Sequence, residues 1–330
     1  MAEKFLRILT LGCPGVALFE CGKRFLQAQG HFAAGLYTFI VCIPTQVFLT
    51  WYLVKHLNFG ISGIGLALSI TRNLLPLGLF IYSKVRTSGE CWRPLDAQVF
   101  RNWSTMFKLA VPSLLMLEAD CIGFEIMTVM AGRFGTSELG AQTLSVTLGS
   151  FIYRTPLSLG IAAGTEVANR LGEASVQKAR EAAKISLILT SVTAWAIFFA
   201  LLLCKQHLPW ILTNDESIIA LMQEVLPIIA VFQFVDAYVG VMNGIIRGIG
   251  KQAFGAWSQL FGCYVVGLPV SAFTAFHLDW RLKGLWTGIA LAMVFICLVQ
   301  GAYLWFVDWQ RLVDDARHRN DGEQSDAAVL

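Results

Sequence analysis

Nine stretches of twenty or more mostly apolar residues fill this chain, at about 5–27, 32–55, 60–83, 104–131, 138–162, 183–206, 218–246, 252–277 and 283–306. They leave few folds open. A segment crossing about 30 Å of hydrocarbon needs about 20 apolar residues, and its backbone polar groups must pair within the segment. The expected fold class is all-α, a polytopic membrane protein of about nine transmembrane helices. Charged residues make up 14% of the chain, against about 25% in a soluble domain. The net charge of +3 is too small to point to nucleic acid.

Basic residues alternate between the connections. One set holds Lys23 and Arg24, then Lys84, Arg86, Arg93 and Arg101, then Arg170, Lys178, Arg180 and Lys184, then Arg247 and Lys251, and lastly Arg311, Arg317 and Arg319. The other set is sparse: Lys55, Arg133, Lys205, Arg281 and Lys283. Cytosolic loops carry the excess of Lys and Arg, so the first set and the C-terminus are expected in the cytosol. Nine spans then place the N-terminus outside although it carries Lys4 and Arg7, which suggests that upstream spans are absent. The sequon Asn102-Trp103-Ser104 falls on the cytosolic side and is expected to be unmodified.

Ionisable groups at bilayer depth cost about 2.5–3.5 kcal/mol each and mark ion or substrate pathways. Glu118, Asp120 and Glu125 lie within Leu109–Ala131, and Asp236 lies within Leu226–Ile246. These four are the candidate cation- and proton-binding residues. On a helix Glu118 and Glu125 share a face about 10 Å apart, while Asp120 points about 140° away from Glu125, toward a neighbouring helix or another part of a cavity. Burial and like charge penalise an ionised carboxylate, so such a group can exchange protons near physiological pH. The structural alternative for Glu118 is a bond to a hydroxyl or cysteine on a neighbouring helix. Glu20 with Lys23 and Arg24 has the spacing of a salt-bridged helix end rather than a site.

An internal repeat relates residues 42–68 to 267–291: Pro44 matches Pro269 at an offset of 225, and Gly63 matches Gly284 at an offset of 221. The segments QAQG (27–30) and RGIG (247–250) precede them at similar spacing. Both copies run in the same sense, as in transporters built from parallel halves. No nucleophile–base set, metal cluster or nucleotide motif is present, and RGIGKQ lacks the glycine and Ser/Thr positions of a phosphate loop. The eight cysteines show no C-x-x-C pair. The chain is read as not an enzyme and without a cofactor.

Six segments in order resemble the multidrug and toxic compound extrusion (MATE) family, in its eukaryotic and fungal branch. They are LGCPGVALFECGKRFLQAQG (11–30), KLAVPSLLMLEADCIGFEIM (108–127), IAAGTEVANRLG (161–172), VDAYVGVMNGIIRGIGKQ (235–252), YVVGLPV (264–270) and KGLWTG (283–288). The resemblance implies two six-helix lobes, with this chain lacking the first three helices. The implied layout is residues 1–83 as the C-terminal half of the N-lobe, 84–103 as a cytosolic inter-lobe linker, 104–309 as a six-helix C-lobe and 310–330 as a polar cytosolic tail. It implies an antiporter that exports organic cations and other xenobiotics by alternating access, with H⁺ or Na⁺ as coupling ion, in the plasma or vacuolar membrane. The family's acidic positions fall on Asp120, Glu125 and Asp236; Glu118 has no counterpart in many members. Glu166 stands where the family usually has Arg, a reversed charge expected to disturb a local ion pair or cytosolic gating, which puts full activity in doubt. Two alternatives stay open. One is a non-transporting fragment that associates with a full-length relative. The other is a lipid-linked saccharide flippase, whose cavity would be lined by Arg and Lys rather than by acids.

Overall fold

Pro14 decides how the chain begins. Without an N–H it suits the first turn of a helix and not its middle. The expected first span accordingly breaks into α1 (Ala2–Thr10) and α2 (Cys13–Ala28), bent by 42°. Carbonyls at the break also bond to α4 (Gly60–Arg86): Ser69 Oγ donates to Ile8 O at 2.7 Å and Asn73 Nδ2 to Leu11 O at 3.0 Å. Helix α3 (Ala34–Trp51) continues into a π-helical turn, Tyr52–His56. Phe19, Leu26, Ala34 and Leu79 form the core of these helices. Lys23 Nζ and Glu20 Oε1 pair at 2.6 Å, the helix-end bridge their spacing predicts.

The structure, a computed structural model, describes residues 2–86 and 103–314. The chain divides into two units, Met1–Arg101 and Asn102–Leu330. Most of the expected linker and tail, and Asn102 of the sequon, lie outside the described residues.

The second unit contains α5 (Trp103–Ala131), α6 (Thr136–Gly172), α7 (Val176–Cys204), the short α8 (Leu208–Leu212) and α9 (Glu216–Gly248). Then come α10 (Gln252–Leu260), a π-helical turn Phe261–Gly267, α11 (Leu268–Ala272), a second π-helical turn Phe273–His277, and α12 (Arg281–Phe306). Among the described residues there is no strand. Among the described residues six helices are long and apolar enough to cross a membrane, or seven if α1 and α2 form one bent span. The other two of the nine expected spans are α5 and α6. Both are long helices, but the acids of α5 and the polar residues of α6 (Gln142, Thr143, Ser145, Arg154) dilute their apolar character.

Helix α9 is central to this unit. Its residues from Val225 onward are buried on almost every side, against α6, α7 and α12. Glycines let α6 and α9 approach closely. A Cβ on Gly244 would run into the Gly160 carbonyl, one on Gly164 into the Gly244 carbonyl, and one on Gly248 into the Gly164 carbonyl. The four-residue spacing of 160/164 and 240/244/248 is the small-residue pattern by which membrane helices pack.

The repeat is visible in the backbone of each unit. Asn58 and Asp279 have φ of 53° and 51°, and Gly60 and Arg281 follow with 53° and 43°. The same three bonds recur at an offset of 221: Leu57 N to Tyr52 O with Leu278 N to Phe273 O, Phe59 N to Leu53 O with Trp280 N to Thr274 O, and Gly63 N to Phe59 O with Gly284 N to Trp280 O. The prolines, offset by 225, lie one helical turn out of register with this element. The turns at 27–30 and 247–250 match as well, at an offset of 220: Gly30 N to Gln27 O with Gly250 N to Arg247 O, and His31 N to Leu26 O with Lys251 N to Ile246 O, with φ of 84° and 76° at the two glycines.

Candidate functional site

Asp120 and Asp236 reach the same cavity from different helices. Asp120 projects from the middle of α5 and Asp236 from the buried second half of α9. The cavity holds about 150 Å³ and is also lined by Tyr153 and Ser150 of α6, Gln233 of α9, Phe124 of α5 and Trp286 of α12. Phe124, Phe232 and Trp286 form a mutual aromatic cluster with ring centroids 5.5–5.9 Å apart. Trp286 is fixed by its Nε1, which donates to Gln142 Oε1 at 2.8 Å.

The two aspartates are held differently. Gln259 of α10 donates through Nε2 to Asp120 Oδ1 at 2.5 Å, and Cys263, one helical turn on, donates its thiol to the same oxygen at 3.4 Å. Tyr264 Oη donates to the Ala119 carbonyl at 3.3 Å, pinning the neighbouring backbone. Asp236 is 9% exposed and belongs to the buried face of α9. Gln233, one turn before it, is buried, and its Oε1 has no partner among the described residues.

Glu118 and Glu125 are not brought to this cavity. Both lie on the exposed side of α5 within the second unit. The reason is helical phase: with 100° per residue, a face that turns Asp120 inward turns both glutamates away. Gln233, Gln259, Cys263 and Tyr153 went unnoticed in the sequence. A polar amide inside an apolar span, three residues from an acid in the case of Gln233 and Asp236, was the available signal.

Glu166 is paired rather than stranded. Arg170 bridges it at 2.8 Å and Glu173 at 3.0 Å, so the acid finds its own cation at the end of α6. Among the described residues no three His, Cys, Asp or Glu side chains group closely enough to hold a metal ion.

The MatE family model matches residues 112–273, the stretch that carries both aspartates, Gln259 and Cys263. The chain belongs to the MatE family. Among its relatives are the uncharacterized transporter C4B3.13 of Schizosaccharomyces pombe, 31% identical over 97% of this chain and 60% of its own length. The uncharacterized transporter YDR338C of Saccharomyces cerevisiae is 30% identical over 99% of this chain and 47% of its own length. Human multidrug and toxin extrusion protein 1 is 29% identical over 97% of this chain and 56% of its own length. This MatE chain thus spans about half to three fifths of these relatives. The crystal structure of the eukaryotic MATE transporter AtDTX14 has a TM-score of 0.92, covering 96% of this chain and 72% of that one, at 24% identity. That likeness shows the fold. Family and apolar helices together make this an integral membrane protein.

Proposed function

We propose that this chain is the cation-binding part of an antiporter that exports organic cations in exchange for protons or sodium. The observation that carries the reading is the meeting of Asp120 and Asp236 in one small cavity walled by aromatic rings. Two carboxylates there leave a net negative charge that only protons or a bound cation can offset. Aromatic faces add attraction for a cation once water is excluded. Protonation cancels the charge and releases the cation, which makes the two occupants mutually exclusive. That exclusion is what exchange requires. The cavity's size limits what it takes in. Drug-sized ligands need about 300–1,000 Å³, so 150 Å³ accommodates the coupling ion or a cationic head group. The bulk of a larger substrate stays outside it.

The acidic lining argues against a saccharide-diphosphate flippase, whose cargo needs basic partners. Placement in the plasma or vacuolar membrane with a cytosolic C-terminus belongs to the same proposal, supported by the basic residues of one set of connections.

The test is binding and exchange of a labelled quaternary ammonium by the chain in proteoliposomes. Asp120→Asn and Asp236→Asn are each expected to weaken cation binding by about 30-fold or more, because losing one partner of a buried charge pair costs about 2–5 kcal/mol. An imposed pH gradient against an imposed sodium gradient decides the coupling ion. Binding unchanged in both variants would sink the site. Binding without exchange, with exchange restored by co-reconstituting a full-length relative, would support the associating-fragment reading.

A further inference from the structure

The Asp120 carboxylate has a partner able to bond it in either protonation state. Gln259 is 0% exposed, its Nε2 donates to Asp120 Oδ1, and its Oε1 has no partner among the described residues. A buried acceptor without a donor is uncommon in folded proteins. We propose that Gln259 is the positioning residue for Asp120, and that its buried Oε1 is the acceptor for the O–H that Asp120 acquires when it takes up a proton.

The chemistry follows from the two ends of a primary amide. An ionised carboxylate only accepts, so it needs the amide's N–H. A protonated carboxyl also donates, and an N–H facing its hydroxyl would have no use for that hydrogen. A half-turn about the last side-chain torsion exchanges Nε2 and Oε1 with almost no change in shape. Asp120 O–H then donates to Gln259 Oε1, and no covalent bond of the amide changes. The proton comes from the aqueous phase and returns there. One amide end stays unpaired in both states, so the flip favours neither state by itself. It keeps Asp120 in one orientation while the charge comes and goes. Cys263 supports this geometry by donating to the same oxygen from one turn away. Other titratable groups facing Asp120 are Asp236 of α9, Tyr153 of α6, Tyr264 of the first π-helical turn of this unit and Cys121 on its own helix. None of these hydrogen-bonds the Asp120 carboxylate among the described residues.

This inference rests on the proton-coupled form of the proposed function, in which Asp120 takes up a proton, and the experiment separates the two. Infrared difference spectra are recorded between neutral and acidic pH on the purified chain in lipid, made with and without glutamine carrying ¹³C at the side-chain carbonyl. The expected spectrum holds a protonated-carboxyl band that is lost in Asp120→Asn. It also holds an amide band that shifts with the isotope and is lost in both Asp120→Asn and Gln259→Met. The carboxyl band should move in Gln259→Met, where shape is kept and the bond is not. An Asp120 band with no isotope-sensitive amide change in the unmutated chain overturns the role of Gln259, and needs no variant to fold. So does an Asp120 band left in place by Gln259→Met. Absence of any Asp120 band overturns proton uptake by Asp120 and the proton-coupled form of the proposed function, and the role of Gln259 with it.

Discussion

Asp215 and Asp120 put the same chemical group to opposite uses. Asp215 is exposed just before α9 and caps it, accepting from Ser217 N at 2.9 Å, Ser217 Oγ at 2.6 Å and Ile218 N at 3.4 Å. These bonds favour the charged form and hold its carboxyl below the usual carboxylate range. A lowered folded value means that the cap's contribution is present above the unfolded value, about 3.9, and is lost as pH falls through the lower folded one. Asp215→Ala is therefore expected to lower the melting temperature at pH 7, with the gap to the parent closing only below about pH 4. A gap that stays constant down to pH 3 would assign the effect to something other than the cap. Asp120, by contrast, is inside a membrane helix with neutral partners. It was legible in the sequence because a charge in an apolar span is conspicuous. Gln259 and Cys263 were not. They are neutral, 139 and 143 residues away in sequence, and only folding shows which face of their helix meets Asp120. The same limit applied to Glu118 and Glu125, whose charge drew notice and whose helical phase takes them away from the cavity.

Helix existence was read correctly along the chain because apolar length decides it, while breaks and register depended on local chemistry. The break in the first span follows from Pro14, but the partners that make it tolerable, Ser69 and Asn73, come from α4 some sixty residues later. The repeat was recognised through its glycines and misaligned through its prolines, since a proline is tolerated at many helical positions near a bend. The contact between α6 and α9 makes the clearest energetic statement. Gly244 faces the Gly160 backbone with no room for a methyl group, so Gly244→Ala must separate two helices that carry much of the second unit's core. Overpacking of this kind costs about 1–3 kcal/mol. Gly123, also within a helix, has nothing within 4 Å of an added Cβ. Gly123→Ala should be neutral or stabilising by up to about 1 kcal/mol, the helical preference of Ala over Gly. Thermal unfolding of the two variants in the same detergent checks the pair. Equal melting temperatures would mean that the close approach does not limit stability.

The placement of the chain across a bilayer decides which side each helix end faces. Helix α7 runs 29 residues, about 43 Å at 1.5 Å per residue, which exceeds the hydrocarbon thickness. Its two ends therefore emerge on opposite sides. The turn before it, Glu173–Ser175, is flanked by Arg170, Lys178 and Arg180, whereas the turn after it carries Lys205 alone before α8. The positive-inside bias assigns the first turn to the cytosol and the second to the far side. An epitope tag inserted between Lys205 and Gln206, both exposed, should bind antibody on intact cells if the protein is at the plasma membrane, or on the luminal face of opened vacuoles. The same tag between Glu173 and Ala174 should bind only after permeabilisation, or on sealed vacuoles. The reverse pattern would invert the whole topology. The end of α9 at Gly248 would then face outward. Tag accessibility thus says on which side each end of α9, the helix that carries Asp236, lies, while the direction of the proposed exchange follows from the gradients imposed on it.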